Sequence, residues 1–377
     1  MTDLADLDTP CLLLDRTRLD RNVARVNARL AALGVTPRPH QKTGKSIHVA
    51  RRAMATPTGP ATVSTLAEAE HLAAHGVTDI LYAVGIAPGK LDRVTRIRAG
   101  GCDLMLCVDS VEAARRTAAH AARTGDAIPV FVEIDSDGLR AGLPPDHPDV
   151  IAVARALVDG GAALAGVMTH FGGSYAGRSP EDFAAMAETE RAAAVLAADR
   201  LRAAGFVVPR VSVGSTPTAL FARDLTGITE ARPGVCLIQD LVMAGIGVCT
   251  PDDVALSVLA TVIGHQREKG WILVDAGWMA MSRDRGTARL AVDQGYGMVC
   301  DLDGRPYADL IVTDANQEHG IVARRPGSPG PVPDLPVGAR VRILPNHACA
   351  TAAQHGAYRV LDGGRTVVAI WERTNGW

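Results

Sequence analysis

The chain has 377 residues, a nearly balanced formal charge of −2 at pH 7 and no basic tail. Such a chain is not expected to bind nucleic acid or a membrane surface. The sequence contains no apolar run of about eighteen residues, the length that a membrane helix needs. The length predicts one large domain and a smaller one. The opening run MTDLADLDTP lacks the features of a signal peptide, and the seven cysteines sit mostly in apolar runs, so we expect a cytoplasmic protein with free thiols.

The first elements predicted are a short apolar strand over residues 9–15 and an amphipathic helix over residues 19–33. An extended segment follows and leads into the run RPHQKTGK. A parallel sheet presents the carboxyl ends of its strands to a ligand, so Lys42, flanked by His40 and Thr43, is placed to react. A lone lysine is more often an ordinary surface residue, so its position alone does not decide the matter.

Between about residue 60 and residue 245, short apolar runs alternate with alanine-rich helical stretches. The apolar runs are PATVST, DILYAVG, DLMLCVDS, IPVFVEIDS, LAGVMTHFGG, VPRVSVGST and ITEARPGVC. Together with the first units they give about eight βα repeats, which favours an α/β protein built on a (β/α)8 TIM-type barrel. No GxGxxG motif follows a strand, so a dinucleotide site has no support.

After residue 241 the pattern changes to apolar strands separated by Gly, Asp and Pro turns. We therefore predict a barrel over residues 16–245 and a β-rich domain over residues 246–377.

Two further runs have residues that suit a ligand. In SVGSTPTA, Gly214, Ser215 and Thr216 offer a close backbone and hydroxyls to a phosphate, although an ordinary helix N-cap has the same composition. In RILPNHACAT, His347 and Cys349 are predicted at a strand end, where both side chains point to one face and form a zinc-type pair. Two ligands do not make a site, and a buried cysteine near a histidine is common.

The runs TPCLLLDRTRLDRNVARV and RPHQKTGKS resemble the opening of the D-threonine aldolase and D-serine dehydratase family, pyridoxal-phosphate enzymes of the alanine racemase fold. The runs DAGWMAMSRDRG and DQGYG extend the resemblance nearly end to end. The resemblance implies that Lys42 forms the Schiff base with pyridoxal 5′-phosphate and that the strand over residues 9–15 pairs with the β-rich domain. At Gly44 the chain departs from the family, which usually has histidine there.

The resemblance also implies roles for residues that follow predicted strands. The cofactor contacts it implies are His40, Arg140 near the ring hydroxyl, His170 stacked on the ring, Gly214, Ser215, Thr216, Arg232 near the pyridine nitrogen and Gly234 near the phosphate, with Tyr175 facing the substrate. It implies that His347 and Cys349 bind Zn²⁺ or another divalent metal, and a thiolate favours zinc. Glu318 or His319 is suggested as a supporting residue.

The implied activity is that of a lyase that removes water from a small D-3-hydroxy amino acid, such as D-serine, D-threonine or D-3-hydroxyaspartate, to give a 2-oxo acid and ammonia. An aldolase that gives glycine and an aldehyde is the alternative, and a non-catalytic carrier of pyridoxal phosphate is a further one. A second substrate carboxylate needs a cation, for which Arg283 and Arg285 are candidates. Family members imply a homodimer with shared active sites.

Overall fold

The structure, a computed structural model, describes residues 2–377 and divides into two compact units. One consists of the residues up to Ala24 with Val235–Arg373, and the other of Arg25–Gly234 with Thr374–Trp377. The sequence placed the division between residues 245 and 246. Within residues 2–377 no helix is both long enough and apolar enough to span a membrane.

The elements before residue 235 alternate strand and helix. They are β1 (Thr2–Asp3), β2 (Cys11–Asp15), α1 (Arg16–Ala32), β3 (Thr36–Pro37), α2 (Ile47–Ala53), β4 (Ala61–Val63), α3 (Leu66–Ala74), β5 (Asp79–Tyr82), α4 (Leu91–Ala99), β6 (Asp103–Val108), α5 (Val111–Thr124), β7 (Pro129–Ile134), α6 (Asp149–Asp159), β8 (Ala163–Thr169), α7 (Pro180–Ala203), β9 (Arg210–Val213), α8 (Thr216–Phe221) and β10 (Glu230–Ala231).

Strands β3 to β10 form one parallel sheet in which neighbours in sequence are neighbours in space, in the order β3-β10-β9-β8-β7-β6-β5-β4. Its two edges meet where the N–H of Gln41 donates to the Thr62 carbonyl at 2.8 Å and the N–H of Thr62 donates to the Pro39 carbonyl at 3.0 Å. The sheet is therefore closed, and the predicted (β/α)8 barrel is confirmed.

The barrel strands are apolar on both faces because helices cover one face and side chains fill the interior. The runs DLMLCV and PVFVEI are buried along almost their whole length. The interior contains Leu81, Met105, Cys107, Phe131 and Met168, all at most 2% exposed. A filled interior leaves the carboxyl ends of the strands as the place for a ligand.

The elements after residue 234 are mostly strands. They are α9 (Leu241–Gly245), β11 (Leu256–Gln266), β12 (Trp271–Val274), α10 (Trp278–Met281), β13 (Gly297–Cys300), β14 (Pro306–Ala315), β15 (Gly320–Arg324), β16 (Arg340–Pro345), α11 (Ala348–Ala352), β17 (Ala357–Leu361) and β18 (Thr366–Glu372).

These strands form a ten-stranded sheet with β1 and β2, in the order β1-β18-β17-β2-β11-β12-β15-β14-β13-β16. The N-terminal strand β2 lies between β11, to which it is antiparallel, and β17, to which it is parallel. The sheet folds back on itself through a second pairing of β11 with β16. Leu4, Leu13, Leu259 and Leu361 are fully buried in one of its apolar clusters.

The N-terminal elements differ slightly from their predicted bounds. The strand begins at Cys11 and the helix at Arg16, three residues earlier than predicted. The helix starts early because the Asp15 carboxylate accepts the N–H of Arg18 at 3.0 Å, which caps the first turn. None of the seven cysteines, all within residues 2–377, forms a disulfide, as their apolar surroundings indicated.

Candidate active site

Lys42 lies in a tight turn directly after the strand pairing that closes the barrel. The N–H of Lys45 donates to the Gln41 carbonyl at 2.7 Å, which closes the turn around Lys42. Lys45 has a left-handed backbone, with φ of 45°, and its Nζ atom pairs with the buried carboxylate of Glu68 at 2.9 Å. Lys42 is half-buried in this fixed turn.

Gly44 belongs to the same turn. A Cβ atom at this position would lie 2.7 Å from the Cγ1 atom of Val49, closer than non-bonded carbon atoms approach. The histidine that is usual in the family therefore does not fit unless Val49 moves.

His40 and His170 are neutral imidazoles among three cationic side chains. Burial lowers the pKa of His40 well below its ordinary value, and the charges of Lys42 and Arg232 lower it further. Burial likewise lowers the pKa of His170, with the Arg140 charge as the next contribution. The structure thus brings five predicted site residues into one electrostatic neighbourhood.

The ring nitrogens of both histidines have local partners. The N–H of Lys42 donates to His40 Nδ1 at 3.3 Å, and His40 Nε2 lies 3.4 Å from the Ser64 hydroxyl. His170 directly follows β8 and hydrogen-bonds to the backbone of Gly214. These contacts fix each ring against the backbone of the loop it faces.

Arg232, which follows β10, is a buried cation held from the barrel interior. Its guanidinium donates to the Ser212 hydroxyl and to the Thr169 carbonyl. The Ser212 hydroxyl in turn donates to Glu230 at 2.7 Å, and Glu230 pairs with the buried guanidinium of Arg38 at 2.8 Å. Burial lowers the pKa of Arg232. This polar chain leaves the guanidinium a single orientation.

The loop after β9 forms a helix cap. Ser215 is the N-cap of α8, and its hydroxyl accepts the N–H of Thr218 at 3.1 Å. The N–H of Gly214 donates to Glu190 at 3.1 Å, so it does not point to a phosphate. Ser215 and Thr216 are each 2% exposed. Of the two alternatives left by the sequence, the N-cap is present, and a phosphate contact by the hydroxyls remains a proposal.

Two glycines allow close packing at the site. A Cβ atom at Gly214 would lie 3.2 Å from the Arg232 Cβ atom, and one at Gly234 would lie 3.0 Å from the His40 Cβ atom. Side chains at either position would displace a predicted cofactor contact.

Arg140 and Tyr175 lie in the loops after β7 and β8. Arg140 is exposed, and its loop is shaped by the Asp135 carboxylate, which accepts the N–H of Gly138 at 2.8 Å. Tyr175 is also exposed, on a 3-10 helix over Gly172–Ala176. The two loops are joined where the Asp137 carboxylate accepts the N–H of Gly173 at 2.6 Å.

Glu190 was not singled out from the sequence, yet it contacts both loops that follow β8 and β9. It lies on the buried face of α7, at helical spacing from Phe183, Ala187, Ala194 and Ala197. An acid on an otherwise apolar helix face is the sequence signal that identifies it.

In the β-rich unit, the prediction that His347 and Cys349 share a strand end is wrong. Strand β16 ends at Pro345, His347 is the N-cap of α11 and Cys349 lies in that helix. The Asp240 carboxylate accepts the N–H of Ala348 at 3.0 Å and draws the chain into this turn. The two side chains are nevertheless hydrogen-bonded to each other.

His347 also hydrogen-bonds to the carboxylate of Asp284, with Nδ1 and Oδ2 2.6 Å apart. Burial opposes the charged imidazole, but the hydrogen bonds to Asp284 and Cys349 raise the pKa of His347 to about 11. Burial also raises the pKa of Asp240, which faces the same pair. Within residues 2–377 no group of three or more His, Cys, Asp or Glu side chains is arranged to hold a metal ion.

Glu318 and His319, the suggested supporting residues, are both exposed in the turn between β14 and β15. The carboxylates beside His347 are instead Asp284, which hydrogen-bonds to its ring, and Asp240, which accepts the N–H of Ala348. Asp284 lies in the family-like run SRDRG, and Asp240 directly precedes α9, as a helix cap does.

The two candidate arginines have different surroundings. Arg285 pairs with Asp293 at 2.6 Å and lies over the ring of Tyr296. Arg283 lies 4.5 Å from the ring centroid of Trp278, and no carboxylate of residues 2–377 pairs with it. Arg283 is therefore the one with a charge available for a ligand.

The sequence of this chain was compared with family models and with known proteins. The family described as "Alanine racemase, N-terminal domain" matches residues 14–241, and the family described as "Putative serine dehydratase domain" matches residues 255–361. A D-threo-3-hydroxyaspartate dehydratase of Delftia sp. (strain HT23) is 55% identical over 379 residues, 99% of each chain. The chain belongs to the D-threonine aldolase and D-serine dehydratase family. Another relative in this family is a D-serine dehydratase of Dictyostelium discoideum, 28% identical over 100% of this chain and 98% of its own.

Solved structures of the family have the same architecture. D-threo-3-hydroxyaspartate dehydratase from Delftia sp. HT23 has a TM-score of 0.97 at 54% identity, with 100% of both chains covered. D-threonine aldolase from Filomicrobium marinum has a TM-score of 0.84 at 25% identity, with 98% of this chain and 96% of its own covered. The family thus contains dehydratases and aldolases, which are lyases, and membership implies pyridoxal 5′-phosphate as the cofactor.

Two solved variants of a D-threo-3-hydroxyaspartate dehydratase bear on the predicted metal ligands. One has a histidine replaced by alanine, and the other has a cysteine replaced by alanine and is in the metal-free form. The two replaced positions are two residues apart, as His347 and Cys349 are.

The residues of this chain fit both groups. The barrel offers an amine at Lys42, two neutral imidazoles and a buried cation at Arg232, which suit an anionic aromatic aldehyde. The β-rich unit offers an imidazole and a thiol in contact, a donor pair that suits a zinc ion with open positions.

Proposed function

We propose that this chain removes water from a small D-3-hydroxy amino acid and releases a 2-oxo acid and ammonia. D-3-hydroxyaspartate is the first candidate substrate, followed by D-serine and D-threonine. The observation that carries the proposal is the likeness, along 99% of the chain, to a D-threo-3-hydroxyaspartate dehydratase. The contact between His347 and Cys349 supports it, since an imidazole and a thiolate suit a metal that assists loss of a hydroxyl.

The barrel residues would act on the cofactor side. Pyridoxal phosphate supplies an electron sink that makes the Cα proton of an amino acid acidic. Lys42, half-buried in the turn after β3, would hold the cofactor and would then be placed to take that proton. His40 and His170, which burial keeps uncharged, would pack against the ring without adding positive charge beside Lys42. Arg232 would offer the ring a fixed cation.

His347 and Cys349 would hold the metal, with Asp284 fixing the imidazole ring. A zinc ion supplies Lewis acidity that stabilises negative charge on the departing hydroxyl oxygen. The thiolate is the reason to propose zinc over magnesium or manganese.

We also propose a homodimer in which the barrel of one protomer and the β-rich unit of its partner share each active site. A reducing compartment such as the cytoplasm suits the seven free cysteines.

An aldolase is the second candidate, because the D-threonine aldolase structure has the same fold over 98% of this chain. In that reaction a base would remove the hydroxyl proton, and the Cα–Cβ bond would break. A carrier without catalysis is disfavoured, since the relatives that match along nearly the whole chain are named as enzymes.

The test is an assay of the purified chain, loaded with pyridoxal phosphate and zinc, with each of the three D-amino acids. We expect 2-oxo acid and ammonia in equal amounts, fastest with D-3-hydroxyaspartate. Glycine with an aldehyde or glyoxylate would establish the aldolase instead. No product from any of the three would overturn both readings.

A further inference from the structure

Glu190 is a buried carboxylate, 1% exposed. Among residues 2–377 its hydrogen bonds come only from neutral groups. A carboxylate buried in this way is costly unless several donors surround it. The positions of these donors in the fold therefore indicate why a carboxylate is buried here.

Two of the three donors come from the loops at the carboxyl ends of β8 and β9, and the third comes from the first turn of α8. One oxygen, Oε1, accepts the N–H of Phe171 at 2.9 Å and the N–H of Gly214 at 3.1 Å. The other, Oε2, accepts the hydroxyl of Thr218 at 2.6 Å. A single side chain thus ties together two loops that are far apart in sequence.

Each loop contains residues assigned to the cofactor. Phe171 directly follows His170, and Gly214 and Thr218 stand on either side of Ser215 and Thr216. The imidazole of His170 itself bonds to the Gly214 backbone. A change at Glu190 would therefore move the ring-facing imidazole and the hydroxyl loop together.

We propose that Glu190 is a positioning residue for the cofactor, which holds His170 and the Ser215–Thr216 loop in one arrangement from behind. This inference rests on the proposed function, since it assumes that pyridoxal phosphate binds at these loops. In this role Glu190 would touch neither cofactor nor substrate, since both of its oxygens accept protein donors.

The helix does not need Glu190 in order to pack. Helix α7 buries Phe183, Ala194, Ala197 and Leu201 on the same face, which is sufficient apolar surface to dock it. The carboxylate instead contacts two loop N–H groups and the hydroxyl of Thr218 in the first turn of α8, beside the Ser215 N-cap, so its contacts lie next to the predicted cofactor residues.

The experiment compares Glu190→Ala, Glu190→Gln and Glu190→Asp with Glu188→Ala. The amide of Gln keeps an oxygen for both N–H groups, and the Thr218 hydroxyl can turn to the Ser215 hydroxyl, 2.7 Å away. Asp is one methylene shorter and cannot span both loops. Glu188 is exposed on the same helix and pairs with Arg191 at 2.6 Å, so its removal is the matched control.

The main readout is the dissociation constant of pyridoxal phosphate, titrated by absorbance into each apoprotein, together with the thermal midpoint. We expect Glu190→Ala to raise this constant about tenfold or more, because two buried N–H groups lose their acceptor. Glu190→Gln should restore most of the affinity, Glu190→Asp should fall between, and Glu188→Ala should match the wild type.

Several outcomes would overturn the inference. Unchanged affinity in Glu190→Ala would do so, as would a Glu190→Gln variant that melts like the wild type but binds as weakly as Glu190→Ala. If Glu190→Ala does not fold, the Gln and Asp variants decide the matter by the same measure. A wild type that binds the cofactor but turns over no D-amino acid would overturn the proposed function alone, whereas one that binds no cofactor would overturn both.

Discussion

The Nδ1 atom of His347 lies 2.6 Å from the Oδ2 atom of Asp284. A carboxylate in this position fixes the ring and leaves Nε2 for a metal, so Asp284→Asn should weaken metal binding although it removes no ligand. We expect a loss of about tenfold to a hundredfold in zinc affinity, measured by competition with a chromophoric chelator.

The control for this measurement is Asp303→Asn. Asp303 is a carboxylate of the same unit that pairs with Arg365 at 2.6 Å. Zinc affinity should be unchanged in that variant. Equal affinity in Asp284→Asn and the wild type would remove Asp284 from the proposed metal site.

Two histidines of the barrel, His40 and His170, predict how stability depends on pH. Burial lowers the pKa of His40 and of His170, so below about pH 6.5 the unfolded chain binds protons that the folded chain does not. The contribution of each histidine to the unfolding free energy is complete above about pH 6.5 and is lost as the pH falls below it. Each histidine should remove up to about 1.4 kcal/mol of unfolding free energy per pH unit in this range.

Urea unfolding at pH 5 and pH 7 measures this loss. His40→Gln and His170→Gln should each show a smaller difference between the two pH values than the wild type, whereas His147→Gln, at an exposed position, should not. If the unfolding free energy of both barrel variants changed between pH 7 and pH 5 as much as that of the wild type, the lowered pKa values of His40 and His170 would be contradicted.

The sequence predicts the barrel because its signal is local. Runs such as DLMLCV are apolar on both faces, and the residues after them, including His170 and Arg232, are placed by the rule that strand ends face a ligand. The contacts of Glu190 join residues 171, 190, 214 and 218, and no local pattern contains them. The strand end predicted for His347 failed because a long-range acceptor, Asp240, turns the chain at Ala348.

Arg283 should determine whether a substrate with a second carboxylate is preferred. In 3-hydroxyaspartate the hydroxyl and that carboxylate are on the same carbon, so its cation must be near the group that assists loss of the hydroxyl. Arg283 directly precedes Asp284, the partner of His347, and no carboxylate of residues 2–377 pairs with it. Arg283→Met should raise KM for D-3-hydroxyaspartate about tenfold and leave kcat/KM for D-serine within about twofold.

Arg285→Met is the comparison, since Arg285 is already paired with Asp293 at 2.6 Å. It should not discriminate between the two substrates. If Arg283→Met lowers kcat/KM equally for both substrates, the arginine supports the structure and does not read the carboxylate.

The shared active site of the proposed homodimer predicts complementation between two inactive chains. Lys42→Ala removes the reacting amine of the barrel, and His347→Ala removes a metal ligand of the β-rich unit. If each site takes its barrel from one protomer and its β-rich unit from the partner, a mixed dimer has one site with both changes and one with neither.

Random pairing makes half of the dimers mixed, so the unfractionated co-expressed protein should recover about a quarter of wild-type activity and the purified mixed dimers about half, although each variant alone is inactive. The two chains would bear different affinity tags, and the doubly tagged dimers would be assayed after purification. A chain with both changes, paired with Lys42→Ala, is the control and should recover nothing. Absence of activity in purified mixed dimers would show that Lys42 and His347 of one chain serve the same site, because every mixed dimer would then lack one of the two residues at each site.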